Sequence, residues 1–239
     1  MRHAGIWRYT VTTILLLSVF APAHAQEAAL CSAFQDGAVA PEKVKAMLAA
    51  AEDGHLYRFR NSASRVGFCV DSKVSKIEAE FRTFQGGVSL WPDERGKEQA
   101  MIMIRTASLD AGNGVTEHLL KGKGFFDVER YPEILFVSTG IHWKGTDHAE
   151  LKGNLTLHGV TRPVTLEVHL TRIEREPGGD VEKVQARAGT VINRADFGMG
   201  ALPGLVDEKV QLCMSVEGDR YGRLPKAGQK KSTILTVKQ

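Results

Sequence analysis

Long apolar runs are what this chain lacks first. The stretch from Tyr9 to Phe20 has no later counterpart, and it is shorter than the roughly 20 residues that a membrane-crossing helix needs. Arg2 and Arg8 flank it, and Ala23-His24-Ala25 follows as a small-x-small cleavage site. The pattern predicts a secretory leader over residues 1–25, excluded from the fold, and a mature periplasmic chain from Gln26. A lipid anchor on Cys31 is the rival, weakened by the bulky Leu30 before it.

Charge of one sign is scarce as well. Lys and Arg number 31 against 28 Asp and Glu, and losing Arg2 and Arg8 with the leader lowers the formal net charge from +3 to +1. Such a balance gives no field for a nucleic acid. The exception is residues 219–239, where Arg220, Arg223, Lys226, Lys230, Lys231 and Lys238 face Asp219 alone. They read as a solvated basic tail, with a weak contact to an acidic membrane surface as the alternative.

Cysteine is rare and odd in number, so at most one bridge forms within the chain. Cys69 stands between Phe68 and Val70, and Cys213 between Leu212 and Met214. Each therefore points away from its strand's apolar set. If the first and last strands are neighbours, the two meet on the outer surface, as a disulfide or as two separate thiols. Cys31 is then left over or pairs between chains in a homodimer. Catalytic signatures are also missing. His142, His148, His158 and His169 show no metal-ligand spacing, no G-x-S-x-G occurs, and no cysteine has a nucleophile's setting. A binding protein without catalysis or cofactor is expected.

What is present is alternation. Between Gly153 and Leu170 the sequence reads GNLTLHGVTRPVTLEVHL, with Leu151, Leu155 and Leu157 on one side of His158-Gly159 and Val164, Leu166, Val168 and Leu170 on the other. A period of two makes this a hairpin of half-buried strands. Gly159 supplies the positive φ of the reversal, and Pro163, having no N–H, belongs near the strand start or on an edge. The same period recurs in Val66, Phe68 and Val70, in Ile77, Ala79 and Phe81, in Ala186, Ala188, Thr190 and Ile192, and in Val210, Leu212, Met214 and Val216. The run Gln99 to Thr106 is apolar on both faces, which places Ile102 and Ile104 inward and Met101 and Met103 under a helix. That helix is predicted from Pro41 to Ala51 within an extension spanning residues 26–55, with Val44, Met47, Leu48 and Ala51 on one side. A second, short helix is predicted within Val115 to Phe126. Repeated short strands and turn signals make the fold class all-β, a sandwich or barrel.

Three motifs in order carry a resemblance: the hairpin just quoted, Lys123-Gly124-Phe125-Phe126-Asp127-Val128-Glu129-Arg130-Tyr131-Pro132, and Asn193-Arg194-Ala195-Asp196-Phe197-Gly198-Met199. Together they resemble the YceI-like family of secreted polyisoprenoid-binding proteins over residues 56–218. The resemblance implies an extended, lipocalin-like, antiparallel eight-stranded barrel with a long isoprenoid chain, of polyprenyl quinone or polyprenyl phosphate type, in an internal cavity. Carriage of a fatty acid or fatty amide, or an enzyme acting on a lipid in that cavity, is the alternative. Thr116-Glu117 stands where the family commonly has Arg-Asp, and Cys69-Val70-Asp71 where the first strand commonly runs on to a histidine. Both departures bear on the headgroup rather than the barrel.

The candidate lining consists of Val66, Phe68, Val70, Phe81, Phe84, Ile102, Ile104, Phe125, Phe126, Phe136, Leu155, Leu157, Val164, Leu166 and Phe197, with Ala186, Ala188 and Thr190 as a small-residue wall. A barrel of eight strands either fills its interior or holds one small ligand, and small residues on an inward face favour space. The competing arrangement packs the phenylalanines of the opposite walls against that strand. Arg194, at the inward end of its strand, either pairs with Asp196 or meets an anionic head through its bidentate fork.

Overall fold

The computed structural model describes residues 41–91, 95–175 and 181–221. The expected leader, Cys31, the turn at Pro177-Gly178-Gly179 and the tail from residue 222 onward lie outside the described residues. Eleven strands follow in chain order: β1 Leu56–Phe59, β2 Arg65–Ser72, β3 Ile77–Phe81, β4 Phe84–Ser89, β5 Gln99–Arg105, β6 Leu109–Asp110, β7 Glu133–Trp143, β8 His148–Leu157, β9 Val160–Arg175, β10 Val181–Asn193 and β11 Val206–Tyr221. Helix α1 spans Pro41–Glu52 and helix α2 spans Gly114–Lys121.

The first six strands are three bent ones. A 3-10 turn at Asn61–Ala63 separates β1 from β2, Arg82-Thr83 separates β3 from β4, and a turn at Thr106–Ser108 separates β5 from β6. The breaks lie side by side: Arg82 N–H donates to the Ser108 carbonyl at 3.0 Å and Arg105 N–H to that of Thr83 at 3.0 Å. Counted as bent units, the strands form an eight-membered antiparallel ring among the described residues, closed where β11 pairs with both β1 and β2. The seam is bonded across its break as well, since Arg60 N–H reaches the Glu217 carbonyl at 2.9 Å and Glu217 N–H reaches Ser64 Oγ at 2.9 Å. The fold is therefore the expected all-β barrel.

One continuous apolar core lines the ring, including Val66, Phe68, Val70, Phe81, Phe84, Ile102, Ile104, Phe136 and Leu155. The hairpin between β8 and β9 turns on two residues, with His158 at φ 51° and Gly159 at φ 74° and Leu157 paired to Val160. Two positive φ values give the turn the twist that a two-residue hairpin needs. The turn is pinned from outside: the His158 ring packs 4.4 Å from that of Tyr131, and Nδ1 lies 3.1 Å from the Phe197 carbonyl. On β8, Gly153 shares the inward face with Leu151, Leu155 and Leu157, and a Cβ there would stand 2.5 Å from the Phe136 ring. Gly153→Ala should therefore cost about 1–3 kcal/mol, read as a lower urea midpoint at unchanged slope. A midpoint equal to wild type would mean that the Phe136 ring and the Val137 carbonyl, 2.6 Å from such a Cβ, both give way freely.

Helix α1 buries Met47 and Ala50 against Leu56, with Ala51, Trp91 and Met101 packed around them. Leu48, expected on the same face, is 61% exposed. The buried face is centred on Met47 and Ala50, so Leu48 falls past its edge. On β5, Ile102 and Ile104 enter the barrel core as expected, and Met101 meets the helix; Met103 is buried but lies outside that helix cluster. Helix α2 starts at Asn113, whose side chain accepts from Thr116 N–H at 2.9 Å as an N-cap. It turns Leu120 into the core.

Candidate functional site

Two apolar cavities lie inside the ring, of about 90 and about 100 Å³. They share Ile102, Phe136, Leu166 and Met214 as lining, so those four side chains form the partition between adjoining chambers. The first chamber lies under α2, with Leu120, Phe125, Phe126, Met199 and Val206 in its wall. The second is bounded by β1, β4 and β5 on one side and by β7 to β11 on the other, with Val88, Ile141, Leu151, Val168 and Val184 among its lining. Carbon makes up almost all of both surfaces. A cavity lined in this way stays dry and accepts apolar matter.

The candidate residues divide between the chambers. Val66, Phe68, Val70, Phe81, Ile104, Phe125, Phe126, Leu155, Leu157, Val164 and Arg194 border the first; Ala186 and Ala188 border the second; Ile102, Phe136 and Leu166 border both. Phe84 and Phe197 are buried in the core but touch neither chamber. Thr190 lines a shallow groove with Glu167, His169 and Gln211. The ladder between β9 and β10 ends at Glu167 and Gly189, so Thr190 has no strand beside it on that flank and opens to the outside. Of the phenylalanines expected to pack against the alanine wall, Phe136 borders the same chamber as Ala186 and Ala188, and the others do not. Phe68, Phe81 and Phe126 form a cluster at the first chamber with ring centroids 5.4 to 6.1 Å apart.

Residues absent from the candidate set include Leu151, Val168 and Leu170 of the second chamber. Their alternation marks them as inward, and the same signal that found the hairpin finds them. Leu120 and Met199 come from a helix and a loop, where a period of two says nothing.

Arg194 is 3% exposed. Its Nε donates to the Asp207 carbonyl at 2.9 Å, Nη1 to that of Met199 at 2.5 Å, and Nη2 to that of Val206 at 2.9 Å. Its Cζ stands 5.9 Å from the centre of the Phe125 ring. No ion pair to Asp196 forms, which corrects the pairing expected from spacing. The 3-10 turn Arg194–Phe197 holds the side chain under the start of β11, where three carbonyls converge. The guanidinium thus staples the loop between β10 and β11. At the far end, Glu98 is also buried, with Oε1 accepting from Trp143 Nε1 at 3.0 Å and Oε2 from Gly96 N–H at 2.6 Å. Both charged groups at the cavity margins, Arg194 and Glu98, thus have protein partners.

The expected bridge between Cys69 and Cys213 is not formed: both are free thiols. The strands are neighbours and both side chains face outward, but Cys69 pairs with Gln211 and Cys213 with Gly67. They are diagonal neighbours rather than directly opposite, near enough for a side-chain hydrogen bond between the thiols but not covalently bonded to each other. Burial, and next the adjacent Cys69, push the Cys213 thiol above the ordinary thiol range. A raised pKa leaves less thiolate at neutral pH. Both thiols should alkylate without prior reduction, and the rate at Cys213 should still be climbing at a pH where an ordinary thiol has levelled off. A linked Cys69–Cys213 peptide in a non-reducing digest would show instead that this adjacent pair oxidises to the bridge.

Comparison with known proteins gives one consistent result. Residues 57–218 match the YceI-like domain. A UPF0312 protein of Pseudomonas putida (strain W619) is 33% identical over 154 residues, covering 62% of this chain and 79% of its own. One from Yersinia pestis (strain Pestoides F) is 32% identical over 144 residues, covering 60% and 74%. Among solved structures, Burkholderia cenocepacia BcnA superposes with a TM-score of 0.61 at 23% identity, over 66% of this chain and 98% of that one. A polyisoprenoid binding domain from Saccharophagus degradans superposes with a TM-score of 0.53 at 15% identity, over 69% and 98%.

Proposed function

The chain belongs to the YceI-like family, and from that premise we propose that its barrel binds a long apolar chain of isoprenoid type, as a periplasmic carrier or store rather than an enzyme. The observation that carries this reading is the pair of adjoining apolar chambers along the barrel interior. The Saccharophagus degradans domain, whose fold is similar, is a polyisoprenoid binder by its own description. An isoprenoid unit has five carbons, and at about 0.8 kcal/mol per buried CH₂ each unit contributes a few kcal/mol. A tail of several units is thus held without a charged contact, in keeping with the commitment of Arg194 and Glu98 to protein partners.

The chambers as they stand suit a short segment, since a cavity of about 150 Å³ holds one benzene ring. A long tail would pass from one to the other by displacing the partition. Met214, unbranched and flexible, is the side chain there best suited to move. The test is native mass spectrometry of the full-length chain expressed with its own N-terminus and purified without detergent. The expected result is a chain starting at Gln26 with a co-purifying prenyl lipid that dissociates on activation. A bound fatty acid would move the reading to a different lipid class. An empty protein that takes up no prenyl lipid on titration would end it.

A further inference from the structure

The barrel end that closes the first chamber carries large aliphatic side chains in water. Val74 is 85% exposed in the turn between β2 and β3, and Val115 is 84% exposed on α2. Leu119 of α2 and Leu202 and Leu205 of the loop before β11 are exposed as well. These segments are joined. Lys73 N–H donates to the Leu205 carbonyl at 2.9 Å, tying the turn to the loop. The segment after α2 meets the same loop, since a Cβ on Gly124 would stand 2.8 Å from that of Ala201. The same elements also wall the chamber from within, through Leu120 of α2 and Val206 at the loop's end. The rim therefore presents aliphatic side chains on both sides, toward the cavity and, between charged neighbours, toward solvent. Grouped aliphatic side chains of this kind mark an interaction surface. The exposed Lys73 adjoins Val74 in the turn, and the exposed Lys123 adjoins Gly124, which meets the loop, a pairing of apolar and basic groups found on surfaces that rest on anionic lipid.

We infer that this rim docks on an anionic bilayer, so that the capped end of the barrel faces the membrane from which an apolar chain enters or into which it leaves. The inference rests on the proposed function, because a ligand insoluble in water gives the apolar rim its bilayer partner. Val74, Val115 and Leu202 would enter the acyl boundary while Lys73 and Lys123 meet lipid phosphates.

The test is co-sedimentation of the full chain with vesicles of phosphatidylcholine alone and of phosphatidylcholine mixed with phosphatidylglycerol, for wild type and for the triple variant Val74→Asp, Val115→Asp, Leu202→Asp. All three positions are exposed, so folding should be unaffected, which circular dichroism checks. Wild type should bind the anionic vesicles more strongly, and the triple variant should lose about tenfold in bound fraction. The variant should also take up prenyl lipid from detergent as wild type does, yet exchange it with vesicles more slowly. Equal sedimentation of the two proteins, or none by either, would overturn the docking surface. So would sedimentation equilibrium showing a wild-type dimer that the variant breaks, which would assign the rim to a second copy of the chain. If wild type sediments as expected but takes up no prenyl lipid from detergent, the ligand reading fails while the docking surface stands.

Discussion

Arg194→Met should unfold about 6–12 °C below wild type. The side chain is buried and donates to the carbonyls of Met199, Val206 and Asp207. Methionine fills similar space but leaves all three acceptors unpaired, and each buried unsatisfied group costs about 1–3 kcal/mol. A total near 3 kcal/mol, at about 2–4 °C per kcal/mol for a domain of this size, gives that shift. Arg194→Lys should recover little of it, because an ammonium on a flexible stem does not reproduce the planar fork that meets three separate carbonyls. Thermal melts followed by circular dichroism check both. A lysine variant that melts like wild type would show that charge matters more than the three bonds, and would return Arg194 to the role of a partner for an anionic head.

The second large effect is on binding. Ala188 lines the second chamber and pairs with Val168 on β9 and Met214 on β11. Ala188→Phe places a ring in a space of about 100 Å³. If that space is open to a ligand, the melting temperature should stay level or rise, while affinity for a long prenyl lipid falls at least about tenfold, or ~1.4 kcal/mol. In a packed core the same substitution would overpack and destabilise by about 1–3 kcal/mol. Calorimetry and a fluorescent prenyl displacement assay on the same preparation separate the outcomes. A destabilised variant with unchanged affinity would sink the view that the second chamber holds part of the ligand.

Side-chain parity made much of the barrel legible from the residues. The alternation on either side of His158-Gly159 defines β8 and β9, and Pro163 falls on the stretch of β9 that β10 leaves unpaired, in keeping with its missing N–H. Parity tells which face a side chain takes, but not which residue lies opposite. Cys69 and Cys213 show the difference, since both point outward on adjoining strands yet stand two positions out of register. Thr190 shows it again: it shares a face with Ala188, but the wall ends beside it. The partners of Arg194 were hidden for another reason. They are main-chain carbonyls of the loop before β11 and of the first two residues of β11, five to thirteen residues further on, and no side-chain pattern records where a loop will bring its backbone. The breaks at Asn61–Ala63 and Thr106–Ser108 are likewise tertiary, set by hydrogen bonds to strands distant in sequence.

The seam between β11 and the bent strand β1–β2 also bears on how the chain reaches this state. Ser64 and Glu217, bonded across it, are 153 positions apart. Ring closure therefore waits for the last strand, and until Val206 to Tyr221 has been synthesised both β2 and β10 present open edges to any other chain nearby. Contacts of such long range slow folding, because the entropy of closing the loop is lost before the pairing compensates it. Unpaired edges meanwhile template association between chains. Passage through an unfolded, chaperone-held form suits this topology, since a holder that keeps those edges covered until the C-terminal strand is available removes the interval in which the barrel can add the wrong partner.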